Sequence, residues 1–423
     1  MAASSLSIHE STATGGKLRE WRANGILVFV SCIGASIAAQ AFYTIGIFIG
    51  PLEADMGWSR AQITFGLMIA SSLGVLFAPF VGLLIDRWGA RRIAIPGVII
   101  YCTAFGALSS ITSSIWSYWA CFLLMAIGQT MVAQMVWVTA VARQFVASRG
   151  IAVAVTLCGA SLGAMIFPPL AEALISLYGW RFAYVGMAVA IGGPTIVLLL
   201  IFFKDHRTVI SRPIDEKPVE QPDQRSLGLT WREALKTWRF WCIASAALFL
   251  TMSVAALVVH FVPIVTKSGL DRSLAAYLAG LSGIAAVAGR LMEGLLLDRF
   301  RGNVVGGLSM LLPAVPCIFL ASYDGSFIAA ATVSILIGLA MGAETNVIAY
   351  LTSRYFGMRN YGVIFGIIVG LNNLAAGAGP ALAGLIYDIY KTYDMVLYAG
   401  GTVAIFHSIL FFKLGDYPQF RKE

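Results

Sequence analysis

Apolar runs of about twenty residues, separated by short charged loops, repeat along the whole chain. Tiling places them at roughly 25–50, 61–85, 93–112, 116–142, 151–177, 182–203, 239–266, 274–297, 304–322, 327–352, 361–387 and 394–413. Each is long enough to cross a hydrocarbon core of about 30 Å as a helix. In hydrocarbon every backbone N–H and C=O must be bonded within the segment, which selects helices over open strands. The pattern predicts an all-α integral membrane protein with twelve transmembrane helices. The first run starts near Asn24 behind a polar lead with His9 and Glu10, and is too long for a signal-peptide core, so it reads as a retained span. The one long polar stretch, 204–237, holds Pro213, Asp215, Glu216, Lys217, Pro218 and Pro222 and reads as a cytoplasmic linker. It divides an N-terminal bundle, 1–203, from a C-terminal bundle, 238–423. Late in the linker, Thr230 followed by Trp231, Leu235 and Trp238 at helical spacing predicts a short amphipathic helix lying on the membrane surface.

The polar punctuation repeats as well. Gly82-Leu-Leu-Ile-Asp86-Arg87 recurs as Gly294-Leu-Leu-Leu-Asp298-Arg299, an offset of 212, and Gly57 and Arg60 map onto Gly269 and Arg272 at the same offset. Arg143 and Phe145 map onto Arg354 and Phe356, and Pro169 onto Pro380, at 211. Two equivalent six-helix bundles related by a pseudo-two-fold axis along the membrane normal are expected, with a solute site at the midplane seam.

Composition agrees: the chain is 59% hydrophobic and 12% charged, against about a quarter charged in soluble domains. With both termini in the cytoplasm, 23 of the 29 basic residues fall inside and five outside (Arg60, Arg181, Lys267, Arg272, Lys391), leaving Arg290 within a span. That asymmetry follows the positive-inside rule, so the net charge of +8 orients the protein and touches lipid head groups. A nucleic-acid partner would need a basic face on a soluble module, which the chain lacks. The six cysteines sit inside predicted helices without ligand spacing and read as apolar fillers. No phosphate-cradling loop, nucleophile constellation or metal-ligand spacing appears. The expectations are therefore no enzyme, no cofactor, no metal, and a monomer in a bacterial inner membrane.

Gly82-x-x-x-Asp86-Arg87-x-Gly89-x-Arg91-Arg92 resembles the signature loop of the major facilitator superfamily. The resemblance implies a gate: Asp86 faces helix N-termini and arginines of the other half when the cytoplasmic side is shut. Asp298 and Arg299 form a second copy without the trailing basic pair. Pro51-Leu-Glu-x-Asp-x-Gly57-Trp58-Ser59-Arg60 and His260-Phe-Val-Pro263 resemble the monocarboxylate-porter and oxalate/formate-exchanger group. That resemblance places a substrate arginine at Arg290. The animal members carry an acid and a lysine where this chain has Ala286 and Tyr43, and the oxalate exchanger adds a cation near Asn372-Asn373.

Arg290 lies eight residues before Asp298, roughly 12 Å from the cytoplasmic end. A guanidinium there is costly unless it faces a cavity or a partner, and its planar fork suits a carboxylate. Two readings stand: a substrate-binding cation, or a fixed pair with Glu344 or Glu293. Joined together they give proton coupling, with Glu344 or Glu293 taking the proton. His260 reads either as a proton-coupling group and outer gate or as a neutral residue bonded to a backbone carbonyl at a Pro263 kink. Polar residues in an apolar bundle turn inward, which adds Gln40, Tyr43, Gln129, Gln134, Asn346, Tyr350 and Asn372 as substrate contacts. Gly159-x-x-x-Gly163 and Gly366-x-x-x-Gly370 read as packing seams.

The expected function is secondary transport of a small monocarboxylate, lactate- or pyruvate-like, with a proton. Organic-anion exchange and ligand sensing without transport are the alternatives. One intramembrane cation matches one carboxylate.

Overall fold

A computed structural model of the chain describes residues 2–145, 148–203, 228–418 and 420; most of the linker, 204–227, lies outside the described residues. Among the described residues the structure is helical throughout, with one isolated bridge between Gly228 and Gly357 and no strand. The helices are α1 (Ala2–Ile37), α2 (Gln40–Met56), α3 (Arg60–Trp88), α4 (Ala90–Ala107), α5 (Ile115–Met131), α6 (Gln134–Gln144), α7 (Arg149–Phe202) and α8 (Trp231–Lys236). They continue as α9 (Trp238–Lys267), α10 (Arg272–Arg299), α11 (Gly302–Leu311), α12 (Ala314–Ala321), α13 (Phe327–Phe356), α14 (Tyr361–Tyr390) and α15 (Asp394–Phe412).

Eleven helical stretches among the described residues are long and apolar enough to cross a membrane. The twelfth is hidden in α7, whose 54 residues contain a break at Gly179, φ 80°. Glycine adopts that backbone without strain and the helix changes course there, between the runs tiled at 151–177 and 182–203. Ile328, Leu177, Leu83 and Leu291 stand exposed on helix faces; in lipid, such faces need no cover.

The chain packs as two compact units. One comprises Met1–Ala41, Leu76–Ala164 and Leu174–Arg207; the other comprises Phe42–Val75, Met165–Ala173 and Thr208–Glu423. In the first, Trp137, Tyr101 and Tyr118 are fully buried. Gly159 lies so close to the Cys32 carbonyl that a side chain there would collide with backbone, so this glycine serves the close approach its spacing predicts. The second unit is centred on Phe240, Leu250, Val347, Leu351, Phe356 and Phe411. In α14 the expected seam differs: nothing lies within 4 Å of a Cβ built at Gly366, and Val75 is 3.9 Å from one at Gly370. Tight approaches fall further along α14, where Gly377 meets the backbone of Met68, Gly379 that of Met252 and Gly384 that of Ala61.

The short surface helix is present as α8. Thr230 Oγ1 accepts from Glu233 N at 3.3 Å, and Glu233 Oε2 accepts from Thr230 N at 2.8 Å, a reciprocal cap. Ala234 turns inward and Trp231 outward, while Leu229 N donates to the Phe356 carbonyl at 2.8 Å and ties α8 to the end of α13.

Candidate functional site

The most extensive helix pair in the second unit is α10 with α13, and small residues make it so. Gly338, Gly342 and Asn346 recur every fourth residue on α13 and face Ser282, Ala286 and Arg290 at the same spacing on α10. A Cβ on Gly342 would strike the Ala286 carbonyl and lie 2.7 Å from Arg290 N. One turn on, Asn346 Nδ2 donates to the Arg290 carbonyl at 3.2 Å. The backbone that carries the guanidinium is thus pinned over consecutive turns. Arg290 is half-buried. Tyr43 lines a small cavity with Pro168, Val258, Phe261, Ser282 and Ile337, of about 20 Å³, room for about one water.

Glu344 is buried, and its Oε1 accepts from Thr251 Oγ1 of α9 and from Asn372 Nδ2 of α14, the latter at 3.1 Å. These donors, both neutral, come from α9 and α14 and not from α10. The reason is helical phase. At about 100° per residue, Glu344 is about 200° around α13 from Gly342, so it faces α9 and α14 while Asn346 returns to α10. Asn372 Oδ1 is buried without a hydrogen-bond partner. A proton on the Glu344 carboxyl is a donor of the type this oxygen lacks. Glu293, also buried, accepts from Ser309 Oγ of α11 at 2.9 Å.

His260 is buried on α9, with Nε2 2.9 Å from the Pro380 carbonyl and Nδ1 2.8 Å from the Tyr393 hydroxyl. A carbonyl can only accept, so Nε2 carries the proton, and in the neutral ring Nδ1 accepts from Tyr393. The backbone carbonyl anticipated for His260 is therefore on α14 instead of at the Pro263 bend. His407 contacts Val403 and Ser245, away from these groups.

In the first unit the first span is broken between Ile37 and Gln40, and polar side chains satisfy the loose ends. Ala41 N donates to the Tyr101 hydroxyl at 3.0 Å, and Gln129 Nε2 donates to the Ala38 carbonyl at 3.1 Å. Gln40 is buried beside this break. The fourth span is also interrupted, at Val132–Ala133, where Trp137 Nε1 donates to the Val132 carbonyl at 2.8 Å. Gln134 opens the helix that resumes there.

In the signature loop, Gly89 takes φ 86° immediately before α4, which explains a glycine at that position. Gly82 has Met135 at 3.4 Å from a built Cβ, and Arg91 Nη2 donates to the Leu200 carbonyl at 2.7 Å. Asp86 stands 3.6 Å from Arg143 Nη2 with both side chains solvent-exposed. The ion-pair partner of this acid is therefore in its own half, where the resemblance implied arginines of the other half. Arg87, Arg92, Asp298 and Arg299 are exposed.

A model of the Major Facilitator Superfamily matches residues 31–380. The chain belongs to the Major Facilitator Superfamily. Monocarboxylate transporter 7 of Homo sapiens is 23% identical over 415 residues, covering 84% of this chain and 79% of the relative. MFS transporter asaE of Aspergillus flavus is 26% identical over 381 residues, covering 86% and 81%. The crystal structure of the nucleoside transporter NupG shares the fold, with a TM-score of 0.73, 12% identity and coverage of 92% and 98%.

Several residues that matter in this facilitator went unmarked in the sequence. Thr251 looks like an ordinary small polar residue in an apolar span, and only the turn of α13 makes it the partner of Glu344. Tyr101 is a lone tyrosine whose role depends on a helix break that no proline or glycine announces. Arg60 and Arg272 stood out as repeat markers and outside charges, and Arg60 as a motif residue, but none of these gave their partners. Their partners, Glu53, Asp388, Tyr393 and Glu172, are brought to them by the fold.

Proposed function

We propose that this facilitator carries a small organic monocarboxylate together with a proton by alternating access. The observation that carries the reading is Arg290: a permanent cation within an apolar span, on backbone fixed by α13. The guanidinium fork binds one carboxylate and the Tyr43 hydroxyl donates to it. Asn372 supplies a further polar contact, Asn346 holds Arg290 in place, and Glu344 carries the proton. His260 serves the outer gate, and Glu293 is a second acid available for the proton. The human relative, a monocarboxylate transporter by name, supports this substrate class. The 23-to-5 distribution of basic charge supports an orientation with both termini in the cytoplasm.

Flux into liposomes tests the proposal. A pH gradient, inside alkaline, should drive net uptake of labelled lactate or pyruvate. Arg290→Lys keeps the charge but loses the fork, and should lower uptake efficiency by about tenfold to a hundredfold, the effect of one hydrogen bond between charged groups. Arg290→Gln should abolish uptake. Unchanged flux in Arg290→Lys at equal expression would remove Arg290 from the site. Uptake that requires internal anion would mark an exchanger, and binding without flux a sensor.

A further inference from the structure

A knot of charge outside this site joins segments from both halves of the repeat. Arg60 opens α3 and grips the Glu53 carboxylate as a fork, Nε to Oε1 at 2.8 Å and Nη2 to Oε2 at 3.2 Å. Its Nη1 donates to the Tyr393 hydroxyl at 2.7 Å, and its guanidinium carbon lies 3.8 Å from the centre of the Tyr387 ring. Asp388 of α14 accepts from the backbone N–H groups of Arg60 at 3.1 Å and Ala61 at 2.8 Å. A carboxylate there meets the unbonded amides and positive end of α3. Tyr393 in turn donates to His260, which donates to the Pro380 carbonyl. Donors therefore run in one direction, from Arg60 through Tyr393 and His260 to Pro380. Burial holds the Tyr393 hydroxyl above the usual tyrosine range, although nearby Arg60 pulls it back, so it remains a donor at neutral pH.

The repeat supplies the same device a second time. Arg272, the counterpart of Arg60, opens α10, sits 2.8 Å from Glu172 Oε2 of α7, and donates through Nη2 to the Ile47 carbonyl of α2 at 2.7 Å. Each half thus places an arginine at the start of its second span, and each arginine bonds residues of the other half. Backbones close up beside both. A Cβ on Gly384 would lie 2.9 Å from Ala61 N, and one on Gly280 would lie 2.6 Å from the Met165 carbonyl.

We propose that Arg60 and Arg272 form a duplicated clasp that seals the non-cytoplasmic end of the transport path and must release for that end to open. The side named rests on the orientation given under the proposed function; the clasp itself does not depend on the substrate. Three features support it. The bonds link segments hundreds of residues apart. The tyrosine and histidine chain has one consistent set of donors. Ala279, on the small cavity, lies seven residues beyond Arg272 on the same helix, roughly 10 Å deeper.

The test is reactivity of Ala279→Cys in intact cells with a membrane-impermeant maleimide, measured above the background of the six native cysteines. Tyr393→Phe removes the central hydroxyl and keeps the ring that stacks on Tyr387 at 4.6 Å. Asp388→Asn leaves a single acceptor for two amides. Each should raise the labelling rate on the order of tenfold, as expected when a closed state loses a hydrogen bond to a charged group. Arg181→Gln, which alters a cation resting on Trp180 outside the clasp, should leave the rate unchanged. An unaltered rate in both variants, each shown to be folded by size exclusion, overturns the clasp. A rise seen only in inside-out vesicles overturns its assigned side. Neither readout uses substrate, so failure of the carboxylate reading would be seen separately in the flux assay.

Discussion

Placing a methyl group on Gly342 tests the contact on which the position of Arg290 depends. The added carbon would strike the Ala286 carbonyl oxygen, and would lie 2.7 Å from Arg290 N and 3.0 Å from the Ala286 carbonyl carbon. All three are backbone atoms, so no change of rotamer relieves the collision. Comfortable separations are about 3.5 Å, so α10 and α13 must part by about 1 Å. Overpacking of this kind costs about 1–3 kcal/mol. The Asn346 bond to the Arg290 carbonyl, already 3.2 Å, stretches with it and adds about 1 kcal/mol. The same substitution at Gly366, with nothing within 4 Å, should be neutral or stabilise the helix by up to about 1 kcal/mol. Apparent melting temperature in detergent and initial uptake rate read the contrast. Gly342→Ala should melt several degrees below Gly366→Ala and lose about tenfold or more of its uptake efficiency. Equal behaviour of the two variants in both assays would refute direct backbone contact between these helices.

Glu344→Gln keeps an oxygen for Thr251 and Asn372 but cannot titrate. One pH unit is worth about 1.36 kcal/mol, so wild-type accumulation should rise by up to about tenfold per unit of gradient. The variant should lose that rise while still exchanging anion for anion, and accumulation that keeps following the gradient would rule out Glu344 as the proton carrier. On the surface, the Glu233 carboxylate is held below its usual range, first by the bond from the Thr230 backbone N–H and then by the Thr230 side chain. Its contribution to α8 is therefore present above the unfolded value of about 4.3 and lost as pH falls through the lower folded value. Amide exchange along Trp231–Lys236 should quicken on acidification in the wild type and not in Glu233→Gln; identical profiles would show that the cap is not read by that carboxylate.

The spans were legible because their length and apolarity are set by the bilayer, and the break at Gly179 inside α7 falls in the gap between the runs tiled at 151–177 and 182–203. The break at Ile37–Gln40 was not legible, since its cause is a hydroxyl and an amide on neighbouring helices. Arg290 announced itself as a charge in an apolar run. Where Glu344 and Glu293 would point was hidden, because depth along a helix is read from residue number, whereas direction depends on which face a neighbour covers. The same blindness put a packing seam at Gly366, on a face of α14 that the structure leaves open. Arg60 and Arg272 were visible as duplicates, but the acids that meet them could be identified only from the fold.

The row of glycines on α13 has a mechanical outcome. With backbone against backbone at Gly338 and Gly342, α10 and α13 cannot slide independently, so Arg290 and Glu344 ride on one stiff blade. Thr251 and Asn372 are mounted on α9 and α14, outside that blade. A shift of either helix strips a donor from the acid and leaves its separation from the guanidinium unchanged. Under the proposed symport, loading a proton and reshaping the cleft for an anion would become a single displacement.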